Sequence, residues 1–347
     1  MKESSPLIYF GIFLLSLIMS SALVPFLRKI AFRYSVLDRP NQSHKTHRES
    51  IPYLGGLAIV IPITLLGIIG PIVMIENSDS AIRTVSILLP AVVLAVVGLF
   101  DDIKSLSASL RFLIQSLLAT CIVIYLNLLG FTISITNIQV IDVILSILWL
   151  VGVTNAFNFF DNLDGGAAGI TVIISITLFL LAYIGDQYLI SSLALALTGA
   201  GLGFLFWNKN PAQIYLGDSG ALFIGFFLAV AILQFEPKVE SKIVSLLIPI
   251  FLVALPIIDT TVAVYSRISR GISIFVGGRD HLSHRLITKG ISRRGSAFIL
   301  WAFAAIFSVF SLVLGVMESY VSLWISLLGL LLMGFLVIGF LRIDPNH

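Results

Sequence analysis

The chain has 347 residues; 58% are hydrophobic types and 11% are charged, with a net charge of +3. An ordinary soluble domain carries about 25% charged residues, and the mean hydropathy of +1.06 lies far above that class. A soluble globular protein, a disordered chain and a basic nucleic-acid binder are therefore excluded, and a polytopic membrane protein remains.

A helix needs about 20 apolar residues to cross the hydrocarbon core. The sequence predicts an all-α integral membrane protein with about eleven spans, at 6–27, 51–75, 84–100, 110–129, 140–157, 167–184, 189–207, 219–235, 243–266, 296–315 and 321–341. Before the first span Lys2 is offset by Glu3, and Arg28, Lys29 and Arg33 follow it. That basic flank reads as an anchor rather than a cleaved leader. Cys121 is the single cysteine, so no internal disulfide is expected. With no low-complexity tract or convincing repeat, residues 1–347 read as one transmembrane domain whose function lies in its loops and span ends.

An odd number of spans puts the termini on opposite sides. The loops expected to share the C-terminal side are 28–50, 101–111, 158–166, 208–218 and 267–295. With Arg342 they hold 17 of the 21 Lys and Arg residues, against 4 on the other side. The positive-inside rule then predicts the N-terminus outside and the C-terminus in the cytoplasm. An isolated acid at a membrane boundary is cheap. On this face, however, Asp recurs beside Gly, Asn or His in four separate loops.

The first cytoplasmic loop reads His44-Lys45-Thr46-His47-Arg48 and ends in Pro52 and Gly55-Gly56. It suits anions, or simply fixes topology. Asp101-Asp102 closes the third span. Adjacent carboxylates repel and suit Mg²⁺, a cationic partner or a proton-accepting role; a plain helix cap is the alternative. Asn155, Asn158, Asp161 and Asp164 recur every third position. Each step of three drifts about 60° on an α-helix, so they converge only if the helix tightens or breaks, and Gly165-Gly166 supplies a break. Interhelical hydrogen-bond glue would explain the Asn but not the two Asp. In Tyr215-Leu216-Gly217-Asp218-Ser219-Gly220, the glycines let backbone N–H groups approach an anion or metal-bound phosphate, unless Asp218 is merely an N-cap. Last comes Asp280-His281-Leu282-Ser283-His284-Arg285, with Lys289, Arg293 and Arg294 beyond. His281, His284 and Arg285 fall on one helical face at i, i+3, i+4 and suit phosphate. Zinc lacks a cysteine or third histidine nearby, and a topogenic basic loop would not need the histidines. Asp259, inside the ninth span, reads as structural.

In this order the motifs resemble the polyprenyl-phosphate N-acetylhexosamine-1-phosphate transferases, glycosyltransferase family 4. That family includes UDP-GlcNAc:undecaprenyl-phosphate GlcNAc-1-phosphate transferases and phospho-N-acetylmuramoyl-pentapeptide transferases. The resemblance runs from about Lys45 to Lys289; N-x-x-N-x-x-D-x-x-D-G and Gly217-Asp218-Ser219-Gly220 are its specific parts. Asn162 stands where the family often has Gly, Gly166 where it often has Leu, and Ala221 where Ser is frequent. The histidine loop reads H-x-x-H-R rather than consecutive histidines or H-x-H-H. These departures bear on the sugar rather than the reaction class.

The resemblance implies transfer of an N-acetylhexosamine-1-phosphate, GlcNAc-1-phosphate first, from a UDP-sugar to polyprenyl (undecaprenyl) phosphate with release of UMP. That reaction would initiate cell-wall or surface-polysaccharide synthesis at the cell (plasma) membrane. The cofactor implied is Mg²⁺, with Mn²⁺ as a substitute, and the assembly leaves room for a homodimer; no nucleic acid is involved. It further implies Asn158 and Asp218 as Mg²⁺ ligands, Asp101 as the base that deprotonates or orients the lipid phosphate, and Asp102 as its support. Asn155, Asp161 and Asp164 would hold the nucleotide–sugar, Tyr215 would stack on the uracil, and His281, His284 and Arg285 would hold the diphosphate, with Lys45 in the same task. The rival readings are a secondary transporter, whose sites usually lie near the bilayer midplane, and the same chemistry on UDP-MurNAc-pentapeptide. A CDP-alcohol phosphotransferase is disfavoured because Gly169 follows Asp164-Gly165-Gly166-Ala167-Ala168 where that class has Arg. A reporter fused after His347 is expected to signal from the cytoplasmic side; an external signal would overturn the orientation.

Overall fold

The computed structural model describes residues 6–38, 50–74, 78–134, 136, 138–317 and 320–344. Apart from one two-residue strand pair, β1 (Leu37–Asp38) with β2 (Ile51–Pro52), its elements are helices: α1 (Pro6–Arg33), α2 (Leu57–Met74), α3 (Ser78–Lys104), α4 (Ala108–Leu128), α5 (Gln139–Phe160), α6 (Gly166–Ile184), α7 (Tyr188–Asn208), α8 (Gly217–Leu233), α9 (Lys242–Leu252), α10 (Ala254–Ser269), α11 (Leu282–Thr288), α12 (Arg293–Val316) and α13 (Val321–Leu341). The expected all-α polytopic architecture is present. Among the described residues eight helices, α1, α3 to α7, α12 and α13, are long and apolar enough to cross a membrane.

The other three expected spans depart from a plain crossing helix. The stretch expected at 51–75 opens as strand and loop, because Pro52 and Gly55-Gly56 delay the helix to Leu57. Its apolar part, like α8, is shorter than the eight. The stretch expected at 243–266 is two helices, α9 and α10, meeting at 72°. Pro256 has no N–H for the Leu252 carbonyl and its ring crowds that carbonyl, so the helix cannot run through Val253. The bend lets α10 carry Asp259 and Arg267 to one end of the bundle.

α8 is the hub. All its residues except Asp218 and Leu233 are buried, which is what a helix apolar all round requires. It packs against α3 and α5, with α2 and α6 beside it. α1 lies along α7, where Ser16 and Ser20 donate to the carbonyls of Ala196 and Ala200 at 2.7 and 2.8 Å. Such small polar residues let two spans approach closely and hydrogen-bond across the interface.

At the end of α8 the approach of α3 is closest. A Cβ on Gly98 would collide with the Asp218 carbonyl and the Ser219 nitrogen, atoms of backbone that cannot swing aside. Gly98→Ala should therefore destabilise the detergent-solubilised protein by about 1–3 kcal/mol. Gly11→Ala, at a position with nothing within 4 Å, should leave the melting midpoint unchanged. Equal midpoints for both variants would contradict the close α3–α8 contact.

Candidate active site

Three of the sequence clusters meet at the start of α8. Asp101 and Asp102 are successive residues on α3 and so point about 100° apart. Asp102 accepts hydrogen bonds from the backbone N–H groups of Asp218 (2.8 Å) and Ser219 (3.2 Å). It caps α8, whose own N-cap residue, Leu216, offers no side-chain bond. Gly217 has φ +72°, and an added Cβ there would lie 2.7 Å from Asp102 Oδ2, so the cap needs glycine. Asp102 is thus occupied in holding the Gly217-Asp218-Ser219 turn to the end of α3.

Asp101 accepts from the Leu106 N–H at 2.6 Å and forms an ion pair with Arg111. Arg111 Nη1 also lies 2.8 Å from Asp218 Oδ2, and Asn158 Nδ2 lies 2.5 Å from Asp218 Oδ1. Asp101, Arg111, Asp218 and Asn158 therefore form one polar line across α3, α4, α8 and α5. The sequence reading missed Arg111, because a lone arginine one turn into an apolar helix has no local signature.

The three-spaced row behaves partly as expected. α5 does break, but at Asp161 (ψ 57°), before the glycines. Asn155 turns back to the Val151 carbonyl of its own helix (2.7 Å). Asp164 accepts from Asn210 Nδ2 (2.7 Å) and the Ala212 N–H (3.2 Å), fastening the α7–α8 connection. In this structure both side chains bond to protein, Asn155 within α5 and Asp164 to the α7–α8 connection. Asp161 is half-buried and its carboxylate makes no hydrogen bond among the described residues. Burial, with Asp102 and Asp164 nearby, pushes its pKa up to about 7.

The Gly55-Gly56 segment clamps the same motif from the other side. Gly55 and Gly56 donate to the carbonyls of Tyr215 (3.0 Å) and Leu216 (2.8 Å), and the Tyr215 N–H donates to Pro52 (2.9 Å). The Tyr215 ring lies 6.0 Å from that of Tyr53, a residue the sequence did not single out. Burial first, then the nearby carboxylates of Asp38 for Tyr53 and of Asp164 and Asp38 for Tyr215, push both phenols up, so both are neutral. Lys45 lies outside the described residues.

The histidine loop folds as α11 with His281 at its N-cap. Arg285, expected at the diphosphate, is instead fully buried. Its guanidinium donates to the carbonyls of Asp280 (2.8 Å), Phe340 (3.0 Å) and Ile343, so it ties α11 to the end of α13. His281 is also buried and held by Asp259 and Arg267. His284 is half-buried and its ring makes no hydrogen bond among the described residues. Burial, with His281 and Arg279 adding to it, pulls its pKa down to about 4.

Among the described residues no three His, Cys, Asp or Glu side chains gather closely enough to hold a metal by themselves. The donors at the α8 terminus are nevertheless of the right chemistry for Mg²⁺, which takes one or two carboxylates and fills its shell with substrate phosphate and water. Asp218 and Asp101 supply carboxylates, and Asn158 supplies an amide oxygen once the amide is flipped. Asp101 Oδ2 is buried with no hydrogen bond beyond its ion pair.

Comparison with known proteins matches residues 84–236 to glycosyl transferase family 4. A probable undecaprenyl-phosphate N-acetylglucosaminyl 1-phosphate transferase of Bacillus subtilis is 34% identical over 318 residues, covering 90% of this chain and 87% of its own. A decaprenyl-phosphate N-acetylglucosaminephosphotransferase of Mycobacterium tuberculosis is 30% identical, covering 82% and 78%. A phospho-N-acetylmuramoyl-pentapeptide-transferase of Staphylococcus carnosus is 28% identical, covering 66% and 75%. With Asn158 and the Gly-Asp-Ser-Gly turn meeting at one helix terminus, and a relative 34% identical along 90% of the chain, the protein belongs to glycosyl transferase family 4.

Proposed function

We propose that this protein transfers GlcNAc-1-phosphate from UDP-GlcNAc to a polyprenyl phosphate such as undecaprenyl phosphate, releasing UMP. The observation that carries this reading is the convergence of Asp101, Asn158 and Asp218 at the N-terminus of α8. A phosphate oxygen of the lipid forms a bond to the β-phosphorus of the sugar nucleotide. The bond from that phosphorus to the bridging oxygen breaks, and the oxygen leaves on UMP. Both reactants are anions, so their repulsion and the charge on departing UMP make the barrier, and positioning with positive charge lowers it.

Mg²⁺ held by Asp218 and Asn158 would neutralise phosphate charge. Asp101 orients the lipid phosphate; with a second phosphate pKa near 6, that group needs little base strength at neutral pH. Arg111, between the two carboxylates, is placed to follow charge onto the phosphates. His284 lines the diphosphate end, and Tyr215 with Tyr53 offers ring faces to the uracil. Asp161 remains for the sugar nucleotide. The two relatives at 34% and 30% identity carry N-acetylglucosamine names and the 28% relative a muramoyl-pentapeptide name, which supports UDP-GlcNAc over UDP-MurNAc-pentapeptide. A transporter is disfavoured because Asp101, Asp161, Asp164 and Asp218 gather at helix ends. The 17:4 basic bias supports an orientation with the site and C-terminus cytoplasmic and the N-terminus outside.

Asp218→Ala and Asp101→Asn should each lower Mg²⁺-dependent UMP release from UDP-GlcNAc by about 10²–10⁴-fold, while the protein still inserts and melts cooperatively. Near-normal turnover in either variant refutes its role, and release from UDP-MurNAc-pentapeptide alone would change the sugar. A second test uses pH. Because the folded pKa of Asp161 is raised to about 7, the folded state is favoured at low pH and loses that advantage as pH rises through 7. Asp161→Asn should thus raise the melting midpoint of metal-free protein at pH 8.5 and change it little at pH 4. An equal shift at both pH values would contradict the raised pKa.

A further inference from the structure

Asp259 reads from the sequence as a structural acid, and the reaction above has no use for it. It is fully buried in α10. Its Oδ1 accepts from the Leu282 N–H at 2.7 Å and its Oδ2 lies 2.7 Å from His281 Nδ1. Both oxygens thus grip the first turn of α11, where the His281 side chain makes no capping bond to the helix itself.

Resting on the reaction proposed above, we infer that Asp259 is a positioning residue that acts through His281, and that His284 alone of the two histidines meets the diphosphate. A carboxylate only accepts, so Nδ1 carries the proton; which ring nitrogen is protonated follows from the bond the other makes. Nε2 faces Arg267 Nη2 at 3.3 Å, and a guanidinium only donates, so Nε2 is bare. Both ring nitrogens are therefore occupied by protein. The ring itself stands edge-on to Phe159, 6.0 Å between centroids, and Arg267 covers the same phenyl ring at 5.4 Å. Neither ring nitrogen of His281 is left for a substrate.

The other contacts of this network also run inward. Arg267 is held by Asp280 (3.0 Å) and by the Ile274 carbonyl (2.8 Å), and Asp280 also receives Ser266 (3.3 Å) and Arg270. Ser283 donates to Asn162, docking α11 onto the segment after Asn158 and Asp161. His284 follows one turn on, its ring 6.4 Å from that of His281. With α10 and His281 fixed, the place of His284 is fixed too.

Amide variants separate the roles of the two nitrogens. An asparagine amide sits where Nδ1 was, and a glutamine amide sits where Nε2 was. His281→Asn should retain kcat for UMP release within about fivefold, as expected for an approximate replacement of one hydrogen bond. His281→Gln and Asp259→Asn should each lose about 10–100-fold, the size of loss seen when the carboxylate behind a metal-bound histidine is removed. Asp259→Asn added to His281→Gln should cost nothing further. Retention by Gln but not Asn, or multiplicative losses in the double variant, would overturn the proposal. If variants fail to fold, ¹⁵N-histidine NMR of the wild-type protein decides. One of the five histidines should be neutral with Nδ1 protonated and Nε2 bare, and its absence overturns the assignment. Wild-type protein that releases no UMP would sink the reaction instead, leaving the NMR outcome to judge the tautomer.

Discussion

The bond between Asp102 and the start of α8 governs the rest of the site. A helix N-terminus leaves N–H groups unpaired, and here the turn that should cap them is given over to Gly217 and Asp218. A carboxylate from another span fills the gap, and hydrogen bonds to a charged group contribute about 1.5–3 kcal/mol each. Because Asp102 is bound there, Asp101, its neighbour on α3, is held within reach of Asp218 through Arg111. The Gly55-Gly56 clamp fixes the same backbone from the opposite side. Asp218 is thus presented by three separate segments and not by its own loop alone.

Around that point the charges divide by element. The acids Asp101, Asp161 and Asp218 stand at the ends of α3, α5 and α8, while His284, Arg293 and Arg294 stand on α11 and α12. Arg293 lies near enough to Tyr215 and His284 to act on both electrostatically, whereas Arg294 donates to the Asn210 carbonyl at 2.8 Å. Arg267, Arg270 and Arg285 look from the sequence like part of the basic side, yet they neutralise Asp280 or cap carbonyls.

The helical, membrane-spanning class was legible because hydropathy is a local property that packing does not change. The acid clusters were legible for a related reason: charge is rare in this chain, so each cluster stood out. What stayed hidden depended on partners far along the chain. Asp101 and Asp102 are chemically identical in sequence, and only the position of α8 makes one a cap. Arg285 shares the spacing of His281 and His284, but the carbonyls that claim it lie 55 and 58 residues onward. Arg111, Arg267, Tyr53 and Asp259 carry no motif at all. The break in α5 was foreseen, though it falls at Asp161 because Asp164 and Gly165 are drawn toward Asn208 and Asn210.

The tie between Arg285 and the last turn of α13 bears on how the molecule is made. A chain emerging from a ribosome completes α3, α4, α5 and α8 first, so the acidic half of the cleft can assemble early. Helix α11 lacks its anchor until the carbonyls of Phe340 and Ile343 are in place. A partly synthesised chain would therefore have the acidic ends of α3, α5 and α8 together while α11 still lacked its tie to the end of the chain.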